Sequence, residues 1–263
     1  MQRGGDVFAM KVSENVEQRG AGLSLLFARG ARPDADALAS RAASSGEVVG
    51  FSVSHRPADH PYWVELLALG LTFDLLGHAP GIPAQSSPSL HAFATTLADV
   101  QGCDALMIRP GPHLSAGSTL LPVVRAMAAL GCELAALPGL MAIGWEPAGT
   151  VMAPDYYSRV IGGWLKGGAF PALGLTALIR SPQGEVASDG LAFFTGYEIR
   201  LDPLAGEPPA EAAKLALRLI HFLVENGPYT PGLVEGPGGE ALQCEYTANR
   251  DCLRIRRTVA ARP

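Results

Sequence analysis

The sequence predicts an α+β fold, a mixed and largely antiparallel sheet covered by helices. Three observations carry this. Apolar segments come in neighbouring pairs, not in the strict alternation with helices of a βαβαβ chain. The segments 173–180 and 190–201 are joined by SPQGEVAS, long enough for a hairpin but short of the dozen or so residues of a parallel crossover. The chain also closes on an antiparallel pair turning around Ala248 to Asp251. These elements suit one domain over residues 21–260, with 79–88 as the place where two subdomains, ferredoxin-like halves in outline, would meet.

Taken in order, residues 1–20 are polar, Gly-bearing and without period, and read as a loose leader. LSLLFAR, from Leu23, is a buried strand. Asp34 caps a short helix reaching Ala42, because its carboxylate can accept a first-turn backbone N–H. EVVGFSVSHR is a second strand, and 63–76 a further strand bent at Gly70. APGIPAQSSP, residues 79–88, is a Pro/Ser loop. Leu90, Phe93, Ala94 and Leu97 are spaced by three and four, which predicts a helix. DALMIR is a short buried strand. Pro122 suits the first position of the next helix, where its missing N–H costs nothing, and Gly131 ends it. CELAALPGLMAIGWEP holds one or two strands broken at Pro138-Gly139. A helix from Pro154 puts Tyr157, Val160, Ile161, Trp164 and Leu165 on one face.

The clearest helix runs over 209–225. Ala212, Leu215, Ala216, Leu219, Ile220 and Leu223 form its buried stripe, and Lys214, Arg218, His221 and Glu225 its polar face. Asn226-Gly227-Pro228 stops it.

Bulk numbers exclude some functions. The 263 residues are 48% hydrophobic and 17% charged, which suits a large core. The net charge of −5 argues against a nucleic-acid partner, which needs a basic face to displace phosphate counterions. Arg254, Arg256 and Arg257 are a local basic patch on a solvated strand. No apolar run reaches the about 18 residues of a membrane span, and the N-terminus has no signal-like core. The expected location is cytoplasmic, with no membrane partner. The four cysteines form no C-x-x-C pair, so free thiols are expected, although Cys244 and Cys252 could face each other across the last hairpin.

GGAFPALGLTALIR, DGLAFFTGYEIRL, ALRLIHFLVENG and GLVEGPGG carry Phe194, Gly196, Glu198, Asn226-Gly227 and Gly236 to Gly239. In that order they resemble the bacterial domain of unknown function 4261 family. Gly81-Ile82-Pro83 matches part of that family's Pro-Ile-Pro region. The resemblance spans roughly residues 23–257. It implies no established activity and transfers no catalytic residue.

Candidate chemistry is sparse. IRPGPHLSAGSTLLPVV places Ser115 where a nucleophile elbow would hold it, with His113 two residues away; His113 stands where the elbow's first glycine belongs. The plain alternative is a polar loop before a helix. His55, Asp59 and His60 are zinc-type donors, but Pro57 and Pro61 make their segment a turn, and no metal is expected. The loop Gly236, Gly238, Gly239 could wrap a small anion with backbone N–H groups, yet it leads into a strand and not a helix. Trp145-Glu146 ends a strand, where side chains can face a cleft, and Glu198 is the acidic residue that the family resemblance implies after its turn. The expectation is a non-catalytic binding or accessory protein without a cofactor, its partner a protein or small molecule. The alternatives are a hydrolase using Ser115 and a small-anion binder at Gly236–Gly239.

Overall fold

A computed structural model describes residues 20–258, apart from 47 and 61. The leader expected over 1–20 lies, but for its last residue, outside the described residues. The fold is α+β, with largely antiparallel sheets. Contacts divide the chain between Ala169 and Phe170 into two units. The Pro/Ser segment 79–88 therefore lies inside one unit and not at a boundary. Its backbone is stitched to that unit: Ala79 N–H donates to Pro33 O and Ala84 N–H to Ala105 O, both at 2.9 Å.

The first unit, 20–169, holds an eight-stranded sheet. Its strands are β1 (Leu23–Phe27), β2 (Phe51–His55), β3 (Trp63–Ala68), β4 (Leu71–Leu76), β5 (His91–Phe93), β6 (Asp104–Pro110), β7 (Leu140–Trp145) and β8 (Thr150–Met152). Their order is β2-β3-β4-β6-β1-β7-β8-β5, antiparallel except for β5 beside β8. β1 is buried at every position, as a central strand covered on both faces must be. β3 and β4 form the hairpin bent at Gly70, where Leu69 and Gly70 both take positive φ (52° and 77°), as a two-residue hairpin turn requires.

Asp34 caps the Ala35–Ala43 helix, its Oδ1 accepting Ala37 N–H at 2.8 Å. The Leu121–Leu134 helix lies against β1 and β6 and packs on the Pro154–Leu165 helix. Gly131 does not end the first of these. A Cβ there would stand 2.8 Å from Tyr157 Cζ, so the glycine lets the two helices approach, and the Tyr157 hydroxyl donates to Ala128 O at 3.1 Å. The helix expected around Leu90 to Leu97 is instead β5 and a turn, with Ala94 at φ 57°.

The second unit holds a six-stranded sheet: β9 (Ala177–Arg180), β10 (Val186–Asp189), β11 (Glu198–Leu201), β12 (Gly232–Glu235), β13 (Ala241–Tyr246) and β14 (Cys252–Arg257). The order is β12-β13-β14-β11-β10-β9, with β11 and β14 parallel. β10 occupies residues expected in a hairpin loop, and the stretch expected to extend β11 upstream is a short helical turn, Ala192–Thr195. The Pro209–Asn226 helix packs on β10 and β11. Its buried residues are the six of the expected stripe. Neither unit follows the β-α-β-β-α-β order of a ferredoxin-like half, so that finer expectation is corrected. Cys244 pairs in register with Ile255, not Cys252, and all four cysteines are free.

Candidate functional site

Three segments of the first unit converge on a cleft of about 430 Å³, within the ~300–1,000 Å³ of small-ligand sites. They are the start of the Ala35–Ala43 helix with Asp34 and Asp36, the turn after β2 with Arg56 and His60, and the turn after β4 with His78 to Pro80; Trp63 of β3 also lines it. The last turn is held from both sides. Gly77 sits at φ 86°, and a Cβ there would lie 2.9 Å from Ala105 O, so only glycine passes this point. Arg32 donates to Gly77 O and, at 2.8 Å, to Gly81 O, with its Nε 3.5 Å from the Asp104 carboxylate.

This anchoring buries His78, which is 3% exposed. Its Nδ1 lies 2.9 Å from Ala79 O. A carbonyl has no proton to give, so Nδ1 donates, and in the neutral ring Nε2 is left as an acceptor. That Nε2 is buried and meets no hydrogen-bond partner among the described residues. Buried polar atoms are rarely left so, because each forfeits its hydration. Behind the cleft, Asp74 accepts a hydrogen bond from the Trp63 side chain; burial pushes the Asp74 carboxyl above its ordinary range, and Trp63 offsets part of the rise.

Two larger depressions, of about 540 and 560 Å³, lie in the same unit. In the first, the buried acid Glu133 is already saturated: it accepts Val48 N–H at 2.7 Å, Val49 N–H at 2.9 Å and Arg41 at 2.8 Å. The second is lined by short polar and apolar groups, with Cys103 its one ionisable side chain. Neither offers an unsatisfied buried group like His78 Nε2.

The structure does not assemble the residues proposed for chemistry. Ser115 lies in an exposed 3-10 turn, and its hydroxyl donates to Pro112 O at 2.8 Å. His113 faces Thr72 Oγ1 at 3.3 Å instead of the serine. A nucleophile needs its base within hydrogen-bond reach. We therefore expect a fluorophosphonate probe to leave the protein unlabelled, and Ser115→Ala to leave folding unchanged. Stoichiometric labelling that the substitution abolishes, read by mass spectrometry, would restore the hydrolase.

His55, Asp59 and His60 are exposed; His60 Nε2 is 3.8 Å from Asp59, and His55 packs edge-on to Trp63. Among the described residues no cluster of three metal-ligating side chains occurs. Of the three, only His60 lines the cleft. Trp145 is fully buried, and Glu146 accepts Ser87 N–H at 2.7 Å. Both belong to the core, and neither lines the three depressions described above.

Gly236, Gly238 and Gly239 form the turn between β12 and β13. The chain supplies its own anion there: Glu240 accepts Gly238 N–H at 2.8 Å and pairs with Arg218. Glu198 is 7% exposed; it accepts the Ser188 hydroxyl and the N–H groups of Gly190 (2.9 Å), Ala192 (3.0 Å) and Leu191 (3.2 Å). It closes a turn, with no acceptor left over. His221 is half-buried, its Nδ1 accepting Phe170 N–H at 3.2 Å, where a solvated face was expected.

The fold and the cleft thus define an α+β protein with a ligand-sized pocket. Comparison with models of known protein families, with curated proteins and with solved structures gives no match. The likeness to the domain of unknown function 4261 family rests on the residues quoted for it. Among the described residues no helix is long and apolar enough to cross a membrane.

Proposed function

We propose that the chain is a non-catalytic cytoplasmic binding protein that holds a small polar molecule in the His78 cleft. One observation supports this above others: a ligand-sized cleft whose lining includes the buried His78 and whose turn after β4 is braced by Arg32. Bracing matters because a site ordered before binding spends little free energy on ordering. The chemistry-bearing side chains elsewhere, Ser115, His113, Glu146 and Glu198, are each bonded to a structural neighbour.

A fragment screen followed by ¹⁵N NMR of the histidine side chains tests this. Hits should move the His78 side-chain resonances and weaken severalfold in His78→Asn, which alters the cleft lining. Asparagine keeps an N–H near the Nδ1 position and removes the Nε2 acceptor. Hits that bind elsewhere, leaving His78 unmoved and the variant unaffected, would overturn the proposal.

A further inference from the structure

The Pro154–Leu165 helix presents one face that the chain leaves open. We propose that this face is a dimer interface, on which a second copy of the chain packs its own Pro154–Leu165 helix antiparallel about a two-fold axis. A pair of glycines and a charge pattern that complements itself support this.

The helix buries Tyr157, Ile161 and Trp164 on one side. Asp155, Ser158, Arg159, Gly162, Gly163 and Lys166 recur at spacings of three and four, so they share the other side. All six line the depression of about 540 Å³ beside Glu133. Glycine is unfavourable inside a helix relative to alanine, so two in succession need a cause. Neither has one within the chain. Neither takes a positive φ, and a Cβ at either would meet nothing within 4 Å. Gly131 is the contrast, since Tyr157 crowds it. What the missing side chains at Gly162 and Gly163 do provide is a low surface. Another helix can approach there closely, because interaxial distance follows the size of the side chains at the contact.

Charge indicates which helix fits. In an isologous pair the same patch faces itself, so residue i meets j and j meets i. An antiparallel two-fold at the level of Val160 and Ile161 sets Ser158 against Gly163, Arg159 against Gly162, and Asp155 against Lys166 of the second copy. Both ends of the contact then carry an opposite-charge pair, and each Arg159 lies over the open space at a glycine. Neighbouring registers lose this match. Centred on Arg159, the two-fold sets that arginine against its counterpart. Centred between Gly162 and Gly163, it sets Arg159 against Lys166. A parallel pair in register sets every charge against its like. Asp155 and Lys166 are exposed, and among the described residues neither joins an ion pair. Both charges are therefore available to a partner.

Sedimentation velocity of the full chain over about 1–500 µM tests the proposal. Wild type should pass from monomer to dimer within that range. Asp155→Lys and Lys166→Asp should each weaken the dimer at least about tenfold, because each turns both symmetric pairs repulsive. Mixed one to one, the two variants should recover a dimer of near wild-type affinity. One copy then offers two lysines and the other two aspartates, and both contacts are again between opposite charges. Gly163→Ala adds readouts of opposite sign. It should raise the melting temperature of the dilute monomer, because alanine favours the helix, and weaken the dimer severalfold, because its methyl group stands in the contact.

A wild type that stays monomeric throughout would overturn the proposal and leave the face to a different partner. So would a dimer that both charge variants retain, or one that their mixture fails to restore.

Discussion

Glu198→Ala should unfold the second unit at markedly lower denaturant, with a loss of about 3–5 kcal/mol. The carboxylate accepts four donors: the Ser188 hydroxyl and the N–H groups of Gly190, Leu191 and Ala192. Removing it strands those donors in the interior, each at about 1–3 kcal/mol before relaxation and water entry reduce the sum. Ser188 makes the damage cooperative, since its oxygen also accepts Ile199 N–H at 2.9 Å across to β11. Glu198→Gln should cost less but still destabilise, because its amide sets N–H groups against N–H groups. The two variants also test a pH dependence. Burial pushes the Glu198 carboxyl above its ordinary 4.5; Ser188 and Ala192 pull it back, and Asp189 adds to the rise. The folded state therefore holds this proton to higher pH than the unfolded chain does. The stability from that linkage is full below the unfolded value and is lost as pH rises through the folded one. Wild type should lose its advantage over Glu198→Gln as pH climbs above about 4.5. A gap that widens with pH, followed by urea titrations across the acid range, would show that the site favours the ionised acid.

Glu198 also shows where sequence is informative and where it is not. Its turn was not separated from the strand expected over 190–201, although Gly196 in T-G-Y-E takes the left-handed φ of 84°. Its donors were not legible either, since they come from residues whose structure was misassigned. The Pro209–Asn226 helix was legible almost to the residue: Pro opens it, Asn-Gly-Pro closes it, and its stripe has period 3.6. Residues 90–97 carry a similar spacing over too short a run to separate helix from strand. What decides there is a partner far along the chain, β8, which pairs with β5 from His91↔Thr150 to Phe93↔Met152. Gly131 misled for the same reason, for its cause is Tyr157 on another helix. The cleft is the extreme case. His78 is one histidine in G-H-A-P, and no local pattern marks it. It becomes a candidate only when Arg32, Gly77 and the Ala35–Ala43 helix bury it and leave one nitrogen unpaired.

Leu219→Ala should destabilise the second unit by about 2–5 kcal/mol, the range for truncating a fully buried leucine. Leu219 is 0% exposed and stands in the middle of the stripe Leu215, Leu219, Leu223. The helix that carries it packs on β10 and β11, the strands that position Glu198. The lost methyl groups forfeit their transfer free energy, and the cavity adds to the cost because close-packed neighbours collapse only in part. Lys214→Ala on the opposite face should change stability by less than about 0.5 kcal/mol, since its partner Glu211 is an exposed neighbour on the same helix. The choice of probe matters. Trp63, Trp145 and Trp164 are the chain's three tryptophans and all fall in the first unit, whereas Leu219 falls in the second. Tryptophan fluorescence would therefore follow the wrong half of the molecule. Hydrogen exchange read by mass spectrometry resolves the two units, and protection in peptides of β10, β11 and the helix should drop by about 30-fold or more, the equilibrium equivalent of 2 kcal/mol. Unchanged protection there would mean that the stripe does not hold the helix to the sheet.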